Sequence, residues 1–328
     1  MSASLVIQTS FLGDMVLTTP LIAELSHRGP VDVVATPAAA GLLANHPSVR
    51  RVIIYDKRGA DSGSLNFVRL AMRLRKEKYA AAYLAQGSVR SGALALLAGI
   101  PKRVGFASSA GRRFYTERAL YIEGDHHAKR LLSLSGTTTG PIRPQLYPGA
   151  TERQAVDALL GEHVNLPIFA IAPGSVWATK RWQGYVGLAR FFASRGLVAV
   201  IGSKDDHELV HPIITAAGER VVDATGKLTL LASAELIRRS QLLVTNDSAP
   251  QHLASAVNTP TVTIFGPTVP QFGFGPLADR STTVGIDTLA CRPCDHHGPM
   301  KCPLGHWKCM REISAAAVVE AAEKMERW

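Results

Sequence analysis

Short apolar runs rich in β-branched residues recur along the chain and alternate with longer stretches of helical period. In the first half, the runs at 5–8, 31–35, 52–55 and 80–84 predict strands, with helices expected at 15–25, 65–76 and 90–98. The second half repeats the rhythm. Strands are expected at 168–172, 198–201, 221–223, 242–245 and 261–265, and helices at 182–194, 208–217, 230–238 and 251–256. Strands apolar on both faces and separated by helices belong to parallel sheets covered on both sides. A Gly-, Thr- and Pro-rich stretch at 136–149 divides the halves. The expected fold is therefore α/β, with two doubly wound domains at 1–150 and 151–310 facing across a cleft. An Ala-rich helix within 311–328 would either cap one domain or bridge both. Ligands in such sheets bind beyond the carboxyl ends of the strands.

The length of 328 residues agrees with two domains, and 46% apolar against 19% charged residues excludes a disordered chain. The longest apolar stretch, 92–101, is about half of what a bilayer span needs. Residues 1–8 have no basic segment before their apolar run, so they read as a first strand and not as a signal peptide. All four cysteines lie between Cys291 and Cys309, which leaves the rest of the chain without disulfides and makes a cytoplasmic protein the expectation.

The net charge of +10 becomes informative when it is divided. Residues 1–150 carry 19 Lys+Arg against 9 Asp+Glu, whereas residues 151–328 carry 17 of each. The first half is thus expected to meet an anionic partner: nucleic acid, an acidic membrane surface or a phosphorylated substrate. Its basic residues are not interleaved with aromatics on a recognition element, which leaves a nucleic-acid-binding protein as the minor, non-enzymatic alternative.

Three strand-to-helix loops could carry chemistry. In the first, Gln8 to Asp14, Gly13 allows close backbone approach. Asp14 is either a helix-capping carboxylate or a general base at the sheet edge. In the second, Ala172 to Trp182, the donors of Gly174, Ser175 and Thr179 precede Lys180 and Arg181. That suits a phosphate at a helix start, or equally a solvated Lys-Arg pair. In the third, Val244 to His252, Asp247, Ser248 and the first-turn amides before and after Pro250 could hold a ribose or a diphosphate. His252 is either part of that loop or a packing residue. Phe265-Gly-Pro-Thr268 adds a fourth loop on the same edge. There is no G-x-x-x-x-G-K-[ST] loop and no Asp-x-Asp triplet, which argues against ATP-driven phosphoryl transfer and against an obvious metal-presenting carboxylate pair.

Taken in order, Phe11-Leu-Gly-Asp14, Pro173-Gly-Ser175 with Lys180-Arg-Trp182, Asn246-Asp-Ser248 with His252, and Phe265-Gly-Pro-Thr268 resemble glycosyltransferase family 9. The Cys-rich tail is most similar to heptosyltransferases of the second type. The resemblance implies a GT-B architecture of two Rossmann-like domains, with acceptor bound by the N-terminal domain and ADP-sugar by the C-terminal one. It implies inverting transfer of heptose from ADP-heptose to the inner core of lipopolysaccharide, with no cofactor required for catalysis. On this resemblance Asp14 matches the catalytic base and Lys180 the lysine on the donor phosphates. Ser175, Thr179, Asp247, Ser248 and His252 match the donor loops. Asp205 lies near an acidic position that holds the ribose, or is a helix cap. Ala249 departs from the pattern, since relatives often have Gly there. A different sugar or a protein acceptor is the alternative within the same fold. The basic first half suits an anionic, Kdo- and heptose-containing lipid A acceptor at the inner face of the inner membrane. The candidate contacts are Gly13, Lys57, Arg58, Arg90, Lys102, Arg103, Arg112 and Arg113.

Cys291-x2-Cys294-x7-Cys302-x6-Cys309 could close a structural zinc or iron site, with His296, His297 and His306 as substitute ligands. Two disulfides or four free thiols are the alternatives.

Overall fold

The computed structural model describes residues 2–325. Its contacts divide the chain after Leu146 into two compact units. No charged residue lies between that division and residue 150, so the whole positive excess belongs to the first unit.

The first unit runs β1 (Ser4–Gln8), α1 (Leu12–Ser26), β2 (Val31–Ala35), α2 (Pro37–Ala40), β3 (Arg51–Ile54), α3 (Gly63–Lys76), β4 (Ala81–Leu84), α4 (Val89–Leu97), β5 (Lys102–Phe106), β6 (Glu117–Ala119) and α5 (His127–Ser133). Its strands form one sheet in the order β3-β2-β1-β4-β5-β6, and every neighbouring pair is parallel. The second unit runs α6 (Ala150–Leu160), β7 (Ile168–Ala172), α7 (Tyr185–Ala193), β8 (Leu197–Val200), α8 (His207–Ala217), β9 (Val221–Asp223), α9 (Leu230–Arg239), β10 (Leu242–Asn246), α10 (Ala249–Val257), β11 (Thr261–Phe265), β12 (Ser281–Gly285), α11 (Lys308–Arg311) and α12 (Ala315–Met325). Its sheet, β12-β11-β10-β7-β8-β9, is again wholly parallel. Counted within each unit, both sheets have the doubly wound order 3-2-1-4-5-6, whose switch points lie between β1 and β4 and between β7 and β10.

The central strands are buried end to end because helices cover both sheet faces. Helix α7 starts at Tyr185, not at 182, because Gly184 caps it and Trp182 stays in the preceding loop. Trp182 is held there by its indole N–H, which donates to the Ile313 carbonyl at 3.0 Å. Helix α12 packs on α7 and on β10 to β12, with Val318 and Ala322 in the core of the second unit. The expected terminal helix is thus seated on that unit from 315 onward, and residues 326–328 lie outside the described ones. Segment 136–149 contains neither helix nor strand, as expected.

At the N-terminal end of the first sheet, fully buried Asp32 accepts from Arg50 at 2.8 and 2.7 Å, from Arg51 at 2.8 Å and from the Tyr79 hydroxyl at 2.5 Å. Burial opposes its charge, but these donors prevail and hold its carboxyl below the usual range. Elsewhere in this unit His46 is buried and pushed down to about 4 by desolvation. Because the folded pKa is depressed, the unfolded chain binds the extra proton between that value and the ordinary 6.5. Stability from His46 is thus present above pH 6.5 and lost as pH falls towards 4, by about 3 kcal/mol. Urea unfolding followed from pH 7 to 4.5 should show this decline, and His46→Gln should flatten it.

Candidate functional site

Both switch points carry the loops singled out in the sequence. In the first unit, α1 begins immediately beyond β1 and holds Asp14 in its first turn. The Ser10 hydroxyl lies 2.5 Å from Asp14 Oδ2 and 2.6 Å from Gln8 Oε1, so it can donate to either. Gln8 Nε2 donates to the Thr18 hydroxyl, which donates in turn to the Asp14 carbonyl. The carboxylate is anchored by this network and retains partial exposure, 21% for its side chain. His127, at the start of α5, places Nε2 3.9 Å from Asp14 Oδ1. Burial pushes His127 down to about 4 even though Asp14 pulls the other way. The imidazole is therefore neutral near pH 7. His127 falls in a segment with no expected helix, and a lone histidine there gives no sequence signal.

Beside this network, a cavity of about 230 Å³ is lined by Thr9, Tyr55, Lys57, Gln86, Ser88, Arg90 and Ser91 over a floor of Ile7 and Leu94. Lys57 Nζ donates to the Thr9 carbonyl at 2.7 Å, and burial, then Arg58 and Arg90, lower its pKa. Arg90 donates to the Tyr55 hydroxyl and lies over the Tyr55 and Phe67 rings. Arg58 is exposed nearby in sequence. Arg112 and Arg113 sit exposed on a single 3-10 turn. That turn begins at Gly111, whose N–H donates to the Gly87 carbonyl. The other basic candidates have structural partners. Lys102 pairs with Glu117 across neighbouring strands at 2.9 Å, and Arg103 donates to the carbonyls of Ile100 and Phe114. Gly13 lies one residue before Asp14, inside the first turn of α1.

In the second unit, Asn246 at the end of β10 joins the two loops of the switch point. Its Nδ2 donates to the Pro173 carbonyl at 2.8 Å, and its Oδ1 accepts from the Trp182 backbone and the Tyr185 hydroxyl. Directly after it, Asp247 Oδ2 lies 2.6 Å from Lys180 Nζ and 2.6 Å from the Thr268 hydroxyl. Gln251 Nε2 donates to the other carboxylate oxygen at 2.8 Å. Lys180 and Asp247 are both buried, with side chains 9% and 10% exposed. An ammonium has three donor hydrogens and Asp247 takes one, which leaves capacity for an anionic ligand. The solvated-pair reading of Lys180 and Arg181 thus fails for Lys180, while Arg181 donates to the Ser175 carbonyl. Ser175 and Thr179 are buried in the same loop. The Ser175 hydroxyl accepts from Trp177 N–H, and the Thr179 hydroxyl donates to the Pro299 carbonyl. Ser248 caps α10, with its hydroxyl 3.5 Å from the Gly174 carbonyl, Ala249 is the first residue of the helix, and His252 is buried one turn in.

The loop after β8 carries two carboxylates in different settings. Asp205 is exposed, whereas its neighbour Asp206 is buried and accepts from both the backbone and the hydroxyl of Ser203 at 2.8 Å. A side chain on Gly174 would begin 2.5 Å from the Asp206 carboxylate, so glycine is what lets the two loops approach.

The cysteine loop packs on the same edge. Arg292 donates to the Phe265 and Thr268 carbonyls, and Cys294 N–H to the Pro267 carbonyl. His297 stacks on Trp177. All four cysteines are free thiols, and burial pushes Cys309 up to about 11. Cys291 Sγ is 3.9 Å from His306 Nε2, and Cys294 Sγ donates to the Cys291 carbonyl. Among the described residues, no group of three or more His, Cys, Asp or Glu side chains is placed to hold a metal ion. The four thiols lie close enough to act on one another electrostatically, and the loop is held by its hydrogen bonds to the loop after β11 and by the Trp177–His297 and Phe272–His296 ring contacts.

The model of glycosyltransferase family 9 (heptosyltransferase) matches residues 67–307, well over half of the chain. The chain belongs to this family. It is 30% identical over 310 residues to lipooligosaccharide heptosyltransferase 2 of Haemophilus influenzae, covering 86% of this chain and 88% of that protein. Among solved structures, Escherichia coli ADP-heptose lps heptosyltransferase II matches with a TM-score of 0.82 at 25% identity, over 99% of this chain and 98% of that one. A family 9 glycosyl transferase from Veillonella parvula matches with a TM-score of 0.88 at 22% identity, over 99% and 97%, and supports the fold. The protein is therefore a glycosyltransferase with the two Rossmann-like domains of the GT-B class. Among the described residues, no helix is long and apolar enough to cross a membrane.

Proposed function

We propose that this glycosyltransferase moves heptose from ADP-heptose to the inner core of lipopolysaccharide, with inversion at the anomeric carbon. The observation that carries the reading is the buried Lys180–Asp247 pair at the second switch point, in a chain resembling lipopolysaccharide heptosyltransferases along most of its length. In this reading the acceptor hydroxyl attacks the anomeric carbon while the bond to the diphosphate oxygen breaks, and ADP departs. Asp14 takes the hydroxyl proton. Lys180 meets the charge developing on the diphosphate, as a preorganised cation in a partly dry site. Ser175, Thr179, Ser248, Ala249 and His252 line the donor side, and the first-turn amides of α10 offer further donors. Exposed Asp205 is the candidate for the donor ribose, beside buried Asp206, whose carboxylate lies behind Gly174. The chemistry invokes no cofactor.

On the acceptor side, Lys57 and Arg90 at the cavity, with Arg58, Arg112 and Arg113 beyond it, supply charge for an anionic Kdo- and heptose-bearing lipid A. That substrate would place the enzyme in the cytoplasm, peripherally at the inner face of the inner membrane. A panel of ADP- and UDP-sugars, offered with heptosylated lipid A or with a protein acceptor, tests the reading. Turnover is expected with ADP-heptose and the lipid. Faster transfer from a UDP-sugar, or to the protein alone, would overturn it.

A further inference from the structure

Helix α3 buries Leu70, Ala71 and Leu74 against the first sheet. On the opposite side it exposes Leu65, Val68 and Met72, at 74%, 48% and 49%. With 3.6 residues per turn, these three form one stripe facing away from the core. Arg69, Arg73 and Lys76 flank one side of it and Arg75 the other. A helix on a solvated surface carries polar residues on its outer face. This one is apolar inside and out, cationic at its margins, and without an acidic residue along its length. The feature extends beyond the helix. Arg75 Nε lies 3.8 Å from where a side chain on Gly99 would begin, at the end of α4, and Leu96 and Leu97 of α4 are exposed as well. Among the described residues, eleven of the sixteen large exposed hydrophobics lie in the first unit, the unit that carries the whole positive excess.

We propose that the outer face of α3 lies on an anionic phospholipid bilayer. Leu65, Val68 and Met72 enter the boundary between headgroups and acyl chains, and Arg69, Arg73 and Lys76 meet the lipid phosphates. Charge complementarity selects this partner. A second copy of the chain would bring two rows of like charge together, and a nucleic acid would have no use for the aliphatic stripe. The inference takes its purpose from the lipid-linked acceptor proposed above, on which it rests, but its test is separate.

The full chain is sedimented with vesicles of phosphatidylcholine alone and of phosphatidylcholine mixed with phosphatidylglycerol. Binding is expected to the mixed vesicles and to weaken with salt. The variant Arg69→Gln/Arg73→Gln/Lys76→Gln should lose about a hundredfold in affinity, about fivefold for each cation removed. Leu65→Gln/Val68→Gln/Met72→Gln should lose about tenfold or more. Both sets of positions are exposed, and unchanged thermal unfolding and turnover of a delipidated acceptor establish that the variants are folded. Equal affinity for both kinds of vesicle, or wild-type binding by both variants, would overturn the proposal. So would self-association in solution that the variants abolish, or tighter binding to duplex DNA than to the vesicles. A chain that binds anionic vesicles through α3 but transfers no heptose would leave this proposal standing and remove only the functional reading.

Discussion

Asp14→Asn is expected to lower kcat by about a thousandfold while ADP-sugar affinity stays at its wild-type value. The substitution keeps the volume of the side chain and leaves an oxygen to accept from the Ser10 hydroxyl, so the turn beyond β1 should hold its shape. What it removes is the capacity to take a proton. Neutral His127, 3.9 Å away, is the nearby group that could assume that work. The single variant His127→Gln separates the two. If Asp14 is the base, His127→Gln with Asp14 intact should keep most of kcat. Stopped-assay turnover, donor titration by calorimetry and thermal unfolding together check the prediction. Retention of more than about a tenth of kcat would place the base elsewhere.

Asp247→Ala is expected to destabilise the second unit by about 3–5 kcal/mol and to abolish transfer. The cost arises because Lys180 would remain buried with its charge uncompensated, while the Thr268 hydroxyl and the Gln251 amide also lose their acceptor. Lys180→Met leaves the opposite orphan and should cost a comparable amount. Stability alone would therefore not distinguish a structural ion pair from one used in chemistry. The double variant Lys180→Met/Asp247→Leu does, because replacing both charges by apolar groups should remove the cost of the uncompensated charge and leave only about 1–3 kcal/mol for each of the Thr268 hydroxyl and the Gln251 amide that lose their acceptor. Transfer and diphosphate binding should stay lost. Denaturant titration and donor calorimetry on wild type and the three variants measure both effects. Recovery of transfer in the double variant would deny Lys180 its assigned contact.

These pairings also mark where sequence reading reaches its limit. The central strands were legible because burial on both faces demands continuous apolar runs, as in 168–172 and 242–245. The strands that escaped, β5, β6 and β12, begin with Lys-Arg, span only three residues, or read Ser-Thr-Thr-Val-Gly. Two of them, β6 and β12, lie at sheet edges, where the demand for apolar residues is weaker. Asp14, Lys180 and Asp247 stood out because each follows a strand in a loop rich in small polar residues. Their partners did not, since Lys180 and Asp247 are 67 residues apart and only the doubly wound topology brings their strands together. The same holds for Thr268, 21 residues beyond Asp247, and for His127 beside Asp14.

From the end of β10, Asn246 connects by itself or through Trp182 to three other stretches of chain: the loop after β7, the start of α7 and, at Ile313, the approach to α12. It thereby makes a load path out of segments that are far apart in sequence. A disturbance in the tail near 313 can reach the loop bearing Lys180 through the single hydrogen bond from the Trp182 indole to the Ile313 carbonyl, without passing through the sheet. Natural variation in this tail would then tune the enzyme's turnover from a distance, while the reacting groups themselves stay unaltered.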